Sequence, residues 1–143
     1  MNIYADTSLL AAYYCPEAGS GKAQVFLAKQ EGVSISWLTE TEMMSAISRK
    51  VRERELSKPD ARRIADLFQE HVQGGYYEVL ALEATDYRLA KELLGRFDTP
   101  LRALDALHVA VALRVARPLA TADDRLAKAA KRCSVKSHFI RYP

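Results

Sequence analysis

Four carboxylates, Asp6, Glu42, Asp105 and Asp123, are the side chains of this sequence best suited to act together chemically. Asp6 directly follows the apolar opening Ile3-Tyr4-Ala5, and Asp123 follows the apolar segment Leu119-Ala120-Thr121. Glu42 falls in the first turn of the helix expected after residues 33–36, and Asp105 is embedded in the apolar run from Leu104 to Leu113. Carboxylates that converge cannot all stay ionised unless a cation joins them. An all-oxygen donor set favours Mg²⁺ or Mn²⁺ over zinc. His71, His108 and His138 lack the spacing of zinc ligands. Such ions lower the pKa of a bound water, orient it and stabilise a leaving oxygen, so no protein nucleophile is needed. The chain has no G-x-S-x-G turn and no Walker A loop. In a small basic protein this combination points to phosphodiester hydrolysis.

Each acid alone has a plainer explanation. Asp6 before Thr7-Ser8 can cap a helix, and so can Asp123, whose neighbour Asp124 could share or take the role. Thr39 and Glu42 have the spacing of a capping box. Asp105 could pair with Arg102 or Arg49. The weight rests on the four together. Asp105 counts most, because residues 103–113 read as a helix apolar on nearly every face, where an acid is costly unless paired or metal-bound. His108, three residues on, shares its face.

These residues need a scaffold. Short strands are expected at residues 3–5, 33–36, 76–80, 119–121 and 138–140. Helices are expected from Ser8, over 22–30, from Thr39 to about Leu56, from Ser57-Lys58-Pro59-Asp60 to Gly74-Gly75, and over 83–94, 101–115 and 123–131. Strands separated throughout by helices argue for a three-layer α/β fold, a short, mostly parallel sheet with helices on both faces. Ligands of such sheets bind beyond the carboxyl ends of the strands, at a topological switch point. Asp6 and Asp123 both fall just past strand ends.

The chain has 143 residues, 49% of them hydrophobic and 27% charged, with a formal net charge of +3. This fits one domain over residues 1–143, with a core large enough to need no staples. The mild positive charge permits a nucleic-acid partner without requiring one. Cys15 and Cys133 are far apart, which excludes a disulfide framework and fits a reducing, cytoplasmic location. The N-terminus lacks the pattern of a signal peptide. No apolar stretch approaches the roughly 20 residues of a membrane span.

Taken in order, Tyr4-Ala5-Asp6-Thr7-Ser8, Leu38-Thr39-Glu40-Thr41-Glu42, the segment Leu101 to Ala110 with Asp105 and His108, and Thr121-Ala122-Asp123 resemble the PIN-domain family of metal-dependent ribonucleases, and particularly its VapC-like toxins. The resemblance runs over essentially the whole chain. It implies that Asp6, Glu42, Asp105 and Asp123 hold the metal, and that Thr7 or Ser8 and Thr121 orient the first acid or a water. It further implies RNA cleavage, a homodimer, and inhibition by a small antitoxin protein. One departure is the link Cys133-Ser134-Val135, which lacks the expected helix-ending glycine.

Basic residues Arg49, Lys50, Arg52, Arg54, Lys58, Arg62 and Arg63 cluster over two consecutive helices. They could track an RNA backbone, Arg49 and Arg52 being the candidates for contact, but interleaved acids favour a solvated, ion-paired face for most of them. Trp37 could stack on a base, although closing the core at a strand end is the simpler role. Tyr13, Tyr14, Met43 and Met44 read as core. Other functions compatible with the same residues are an RNA-processing nuclease without an antitoxin and a metal-free interaction module. A phospho-receiver is disfavoured, because Asp6 has no acidic neighbour and no lysine follows Thr121.

Overall fold

A computed structural model describes residues 2–141. Five strands, β1 (Asn2–Ala5), β2 (Gly32–Ser36), β3 (Glu78–Leu80), β4 (Leu119–Thr121) and β5 (Ser137–Phe139), form one sheet in the order β3-β2-β1-β4-β5. All four pairings are parallel. The helices are α1 (Thr7–Tyr14), α2 (Ser20–Ala28), α3 (Trp37–Arg52), α4 (Lys58–Gln73), α5 (Ala84–Leu94), α6 (Ala103–Val115) and α7 (Asp124–Arg132). The α/β architecture with a parallel central sheet is the one the alternating sequence pattern requires.

Strand β1 is central. The chain moves outward from it through β2 and β3, then returns to its other side through β4 and β5. The order therefore reverses between β1 and β4, and the carboxyl ends of those two strands deliver Asp6 and Asp123. Ile3, Tyr4 and Ala5 are fully buried. Burying a side chain such as Ile3 stabilises the fold by about 1.5–3 kcal/mol. One core layer packs Leu9, Leu10, Ile35, Met43 and Phe68, and another packs Tyr4, Leu93, Val109, Val111 and Leu119. Cys15 and Cys133 are buried free thiols.

Helix α6 is buried from Ala106 through Ala112, as its continuous apolar run demands. It starts at Ala103 rather than Leu101, with Arg102 as N-cap. Ala116 ends it in the left-handed conformation, ahead of Pro118. Arg114 clamps α6 to α5: its Nε donates to the buried Asp86 at 2.8 Å and its Nη2 to the Ala81 carbonyl at 3.0 Å. At the link that lacks a glycine, Ser134 takes a φ of 64° and performs the chain reversal itself.

Two expectations are corrected here. Helix α3 begins two residues before Thr39. Ser36 is its N-cap, and Thr39 is the third helical residue of the capping box, its Oγ1 accepting the Ser36 N–H at 3.1 Å. Glu42 is therefore not a capping-box acid and is left available. Second, Trp37 does not close the core. It is the first residue of α3 and 57% exposed. Met44 is likewise exposed, while its neighbour Met43 is fully buried, because a helix turns adjacent residues about 100° apart.

Candidate metal centre

Asp6 leaves β1 and caps α1, its Oδ1 accepting the Leu9 N–H at 3.2 Å. Ser8 Oγ lies 2.9 Å from both carboxylate oxygens, and Thr121 Oγ1 donates to Oδ2 at 2.8 Å. Ser8 Oγ also accepts the Ala122 N–H at 3.0 Å, and Thr121 Oγ1 the Asp123 N–H at 2.9 Å. Ser8 and Thr121 thus join the ends of β1 and β4 into one polar lattice. Burial raises the Asp6 carboxyl above its ordinary value, opposed by the nearby His108 and the bonds from Thr121, Ser8 and Leu9.

Glu42 reaches the same region from the second turn of α3. Its Oε1 accepts from Thr7 Oγ1 at 2.8 Å and lies 2.5 Å from His108 Nε2. Burial would raise its carboxyl, but the hydrogen bond and charge of His108, with the Thr7 bond, outweigh it and hold the carboxyl below its usual value. His108 is buried on α6, and its Nδ1 lies 2.7 Å from the Tyr4 hydroxyl.

Asp105 sits half-buried in the first turn of α6 rather than deep in its middle. Its Oδ2 accepts the Arg102 N–H at 3.4 Å. Among the described residues it forms no ion pair, so neither Arg102 nor Arg49 neutralises it. Burial raises its carboxyl; the Arg102 N–H opposes this, and the negative charges of Asp123 and Glu42 add to the rise. Asp123 caps α7 through Oδ1, which accepts from the N–H groups of Arg125 and Leu126. Asp124 pairs with Lys128 at 2.9 Å.

Glu42, Asp105 and Asp123 line one cleft of about 590 Å³, together with Arg49, Arg102 and Arg125. Asp6 does not line that cleft and is linked to it through Thr121 and the Asp123 backbone. Glu42 and Arg49 also border a second hollow of about 320 Å³, which Thr7, Ser8, Ser45 and Arg52 complete. Trp37 lines neither. From the sequence, Arg102 was named only as a partner for Asp105 and Arg125 was not singled out, although each lies within three residues of a candidate acid. Among the described residues, no three carboxylate, imidazole or thiol side chains come together closely enough to hold a metal ion between them. The carboxylates that line the cleft are hard oxygen donors, the chemistry through which Mg²⁺ is held by one or two carboxylates while keeping several waters. Asp105, with like charges near it and no cation of its own, is the acid that such an ion would neutralise.

Among the other basic residues, Lys50 pairs with Glu17 and Glu55 at 3.2 Å each, Arg62 with Asp66 at 4.0 Å, and Arg63 with Asp60. These belong to ion-paired helical faces. No helix among the described residues is long and apolar enough to cross a membrane.

Comparison with known proteins agrees with this architecture. No curated protein matches the chain by sequence. Among solved structures, FitAB bound to the IR36 DNA fragment shares 16% identity at a TM-score of 0.75, covering 97% of this chain and 94% of that one. VapC20 of Mycobacterium tuberculosis, a sarcin–ricin loop cleaving toxin, shares 22% identity at a TM-score of 0.72, covering 89% and 94%. VapBC2 of Rickettsia felis, bound to a promoter DNA fragment, shares 17% identity at a TM-score of 0.70, with full coverage of both chains. At these identities the likeness is one of fold. The sequence profile of the PIN domain matches residues 3–132, so the chain belongs to the PIN domain family.

Proposed function

We propose that this protein is a divalent-metal-dependent endoribonuclease, the toxin of a toxin–antitoxin pair. The observation that carries the reading is the cleft in which Glu42, Asp105 and Asp123 face Arg49, Arg102 and Arg125. Acids gathered on one wall attract a cation, and guanidinium groups beside them accept a phosphate backbone. Glu42, Asp105 and Asp123 would hold Mg²⁺ or Mn²⁺, with Asp6 completing the charge from behind. When bound, such an ion supplies a water of lowered pKa and positive charge against the leaving oxygen. Thr7 and His108 fix one oxygen of Glu42, while Ser8 and Thr121 fix both oxygens of Asp6. Arg49 borders both hollows, so it can hold the phosphate on one side of the scissile bond while Arg52 meets the next. Direct attack by water on phosphorus leaves 5′-phosphate and 3′-hydroxyl ends.

The toxin role is supported by the fold shared with VapC20 and with the VapBC2 and FitAB complexes. It is also supported by a groove of about 560 Å³ between α3 and α4, with Met44, Ile47 and Val51 on its floor and Arg52, Lys58 and Arg62 at its rim. An apolar floor and a basic rim suit an amphipathic antitoxin helix with acidic flanks. Incubating purified protein with RNA and Mg²⁺, with and without EDTA, and sequencing the ends tests the chemistry. Chelation-resistant cleavage, or 2′,3′-cyclic phosphate products, would contradict it.

A further inference from the structure

Three residues border both the cleft and the smaller hollow beside it: Glu42, Arg49 and Leu104. Charge explains the first two at such a place. Leu104 has none. It is the second residue of α6, one turn before Leu107 and His108 on the same helical face. Those two are buried, whereas Leu104 is 48% exposed and lies outside the core clusters. An apolar side chain therefore stands where a hollow of about 590 Å³ meets one of about 320 Å³. Both volumes fall in the roughly 300–1,000 Å³ range of small-ligand sites.

We propose that Leu104 is a specificity-determining residue, a wedge that parts the two nucleotides flanking the cleaved phosphate and directs one into each hollow. This rests on the nuclease reading above and narrows its substrate to RNA that is unstacked at the cut. A strand crossing the ridge meets Arg49, which takes phosphate charge, and Leu104, which offers an apolar face to a base or ribose. Leu101 and Leu126 give the larger hollow an apolar wall for a base. Thr7 and Ser45 give the smaller one hydroxyls for a ribose or a base edge. Stacked bases lie only about 3.4 Å apart, so neighbours that stay stacked cannot fill two hollows with a leucine side chain between them. Apolar side chains, leucine among them, open base steps of DNA in this way. A duplex resists the opening, because pairing and stacking are lost together. Loops, bulges and single strands present bases that splay freely.

Short single-stranded RNAs carrying 2-aminopurine, a base whose fluorescence rises when it leaves a stack, test this with the label moved one position at a time. Fluorescence is read in EDTA at saturating protein, and the same RNAs are then cut in Mg²⁺ to map the broken bond. With wild type, the signal should rise severalfold at two adjacent positions and stay flat elsewhere, and the cut should fall between those two. Leu104→Ala should abolish the rise and weaken binding about tenfold, as loss of covered apolar surface does. Leu104→Met, apolar and similar in reach, should retain both. Circular dichroism checks that the variants fold; if Leu104→Ala does not, the wild-type profile decides. A flat wild-type profile would overturn the proposal. So would a rise that persists in folded Leu104→Ala at saturation, whatever its affinity, because a purely structural leucine changes affinity alone. A rise at one step that Leu104→Ala loses, in RNAs that wild type does not cut in Mg²⁺, would contradict the nuclease reading and leave the wedge standing.

Discussion

Thr121 Oγ1 donates a 2.8 Å hydrogen bond to Asp6 Oδ2 while accepting the Asp123 N–H at 2.9 Å, so one hydroxyl ties the ends of β1 and β4 together where the strand order reverses. Thr121→Val keeps the shape and removes both bonds. The buried carboxylate and N–H left behind should cost about 1–3 kcal/mol, read by urea denaturation. RNA cleavage should fall at least tenfold at a temperature where the variant is folded. Wild-type stability would show that the lattice holds nothing in place.

Asp105 gives a prediction with a definite sign. Burial, with repulsion from Asp123 and Glu42, raises its carboxyl in the folded chain. Ionising it therefore opposes folding. Without metal, the folded form binds more protons than the unfolded one as pH rises from the ordinary aspartate range toward the raised value, so stability falls across that window and the penalty is complete above it. Asp105→Asn removes the penalty and keeps an acceptor for the Arg102 N–H. The melting midpoint in EDTA at neutral pH should rise, and the stabilisation that Mg²⁺ gives wild type should shrink. A lower midpoint in EDTA would contradict the charge crowding. About 1 kcal/mol moves the midpoint of a domain this size by roughly 2–4 °C, so scanning calorimetry resolves the effect.

The Arg114–Asp86 clamp is structural. Asp86 is 1% exposed and has its guanidinium partner at 2.8 Å. Arg114→Met should destabilise the fold by about 2–4 kcal/mol, since it strands a buried charge. Adding Asp86→Asn should recover a good part of that in denaturant titrations. Equal stability of the single and double variants would show that Asp86 does not depend on Arg114.

Arg49 borders both hollows, and its replacement by Ala should weaken binding of single-stranded RNA to a cleavage-deficient Asp105→Asn chain. One lost phosphate contact should flatten the dependence of log affinity on log salt by about 0.7. Fluorescence anisotropy at several salt concentrations reads this. An unchanged slope would remove Arg49 from the RNA path.

For the α3–α4 groove, Met44→Asp places a like charge against an acidic-flanked helix. Under the proposed toxin role, co-expression with its antitoxin should then give a variant that no longer copurifies with that partner, while metal-dependent cleavage persists. Retained copurification would place the antitoxin elsewhere.

Much of this was legible in the sequence because it is written in short-range patterns. Strand and helix alternate, the ends of β1 and β4 carry acids, and the apolar run of α6 marks a central helix. What escaped was set by three-dimensional geometry. The start of α3 was misplaced because Ser36 and Thr39 both have cap chemistry, and only the backbone shows that Ser36 is the cap. Trp37 and Met44 looked like core by composition, but solvent exposure depends on the side of the helix they take. Arg102 and Arg125 reach the cleft because the starts of α6 and α7 border the same hollow, a relation that spacing along the chain does not encode. Tyr4 drew no attention beyond its place in a strand, because its partners His108 and Ser36 lie 104 and 32 residues away.

The most direct measurement is cleavage of a defined RNA by the purified wild-type chain and by Asp105→Asn, with Mg²⁺ and with EDTA. The expected result is cutting by wild type in Mg²⁺ alone, with 5′-phosphate ends, and loss of at least a hundredfold in rate in the variant. Equal rates for both chains, or cutting that survives EDTA, would contradict a metal-held carboxylate site.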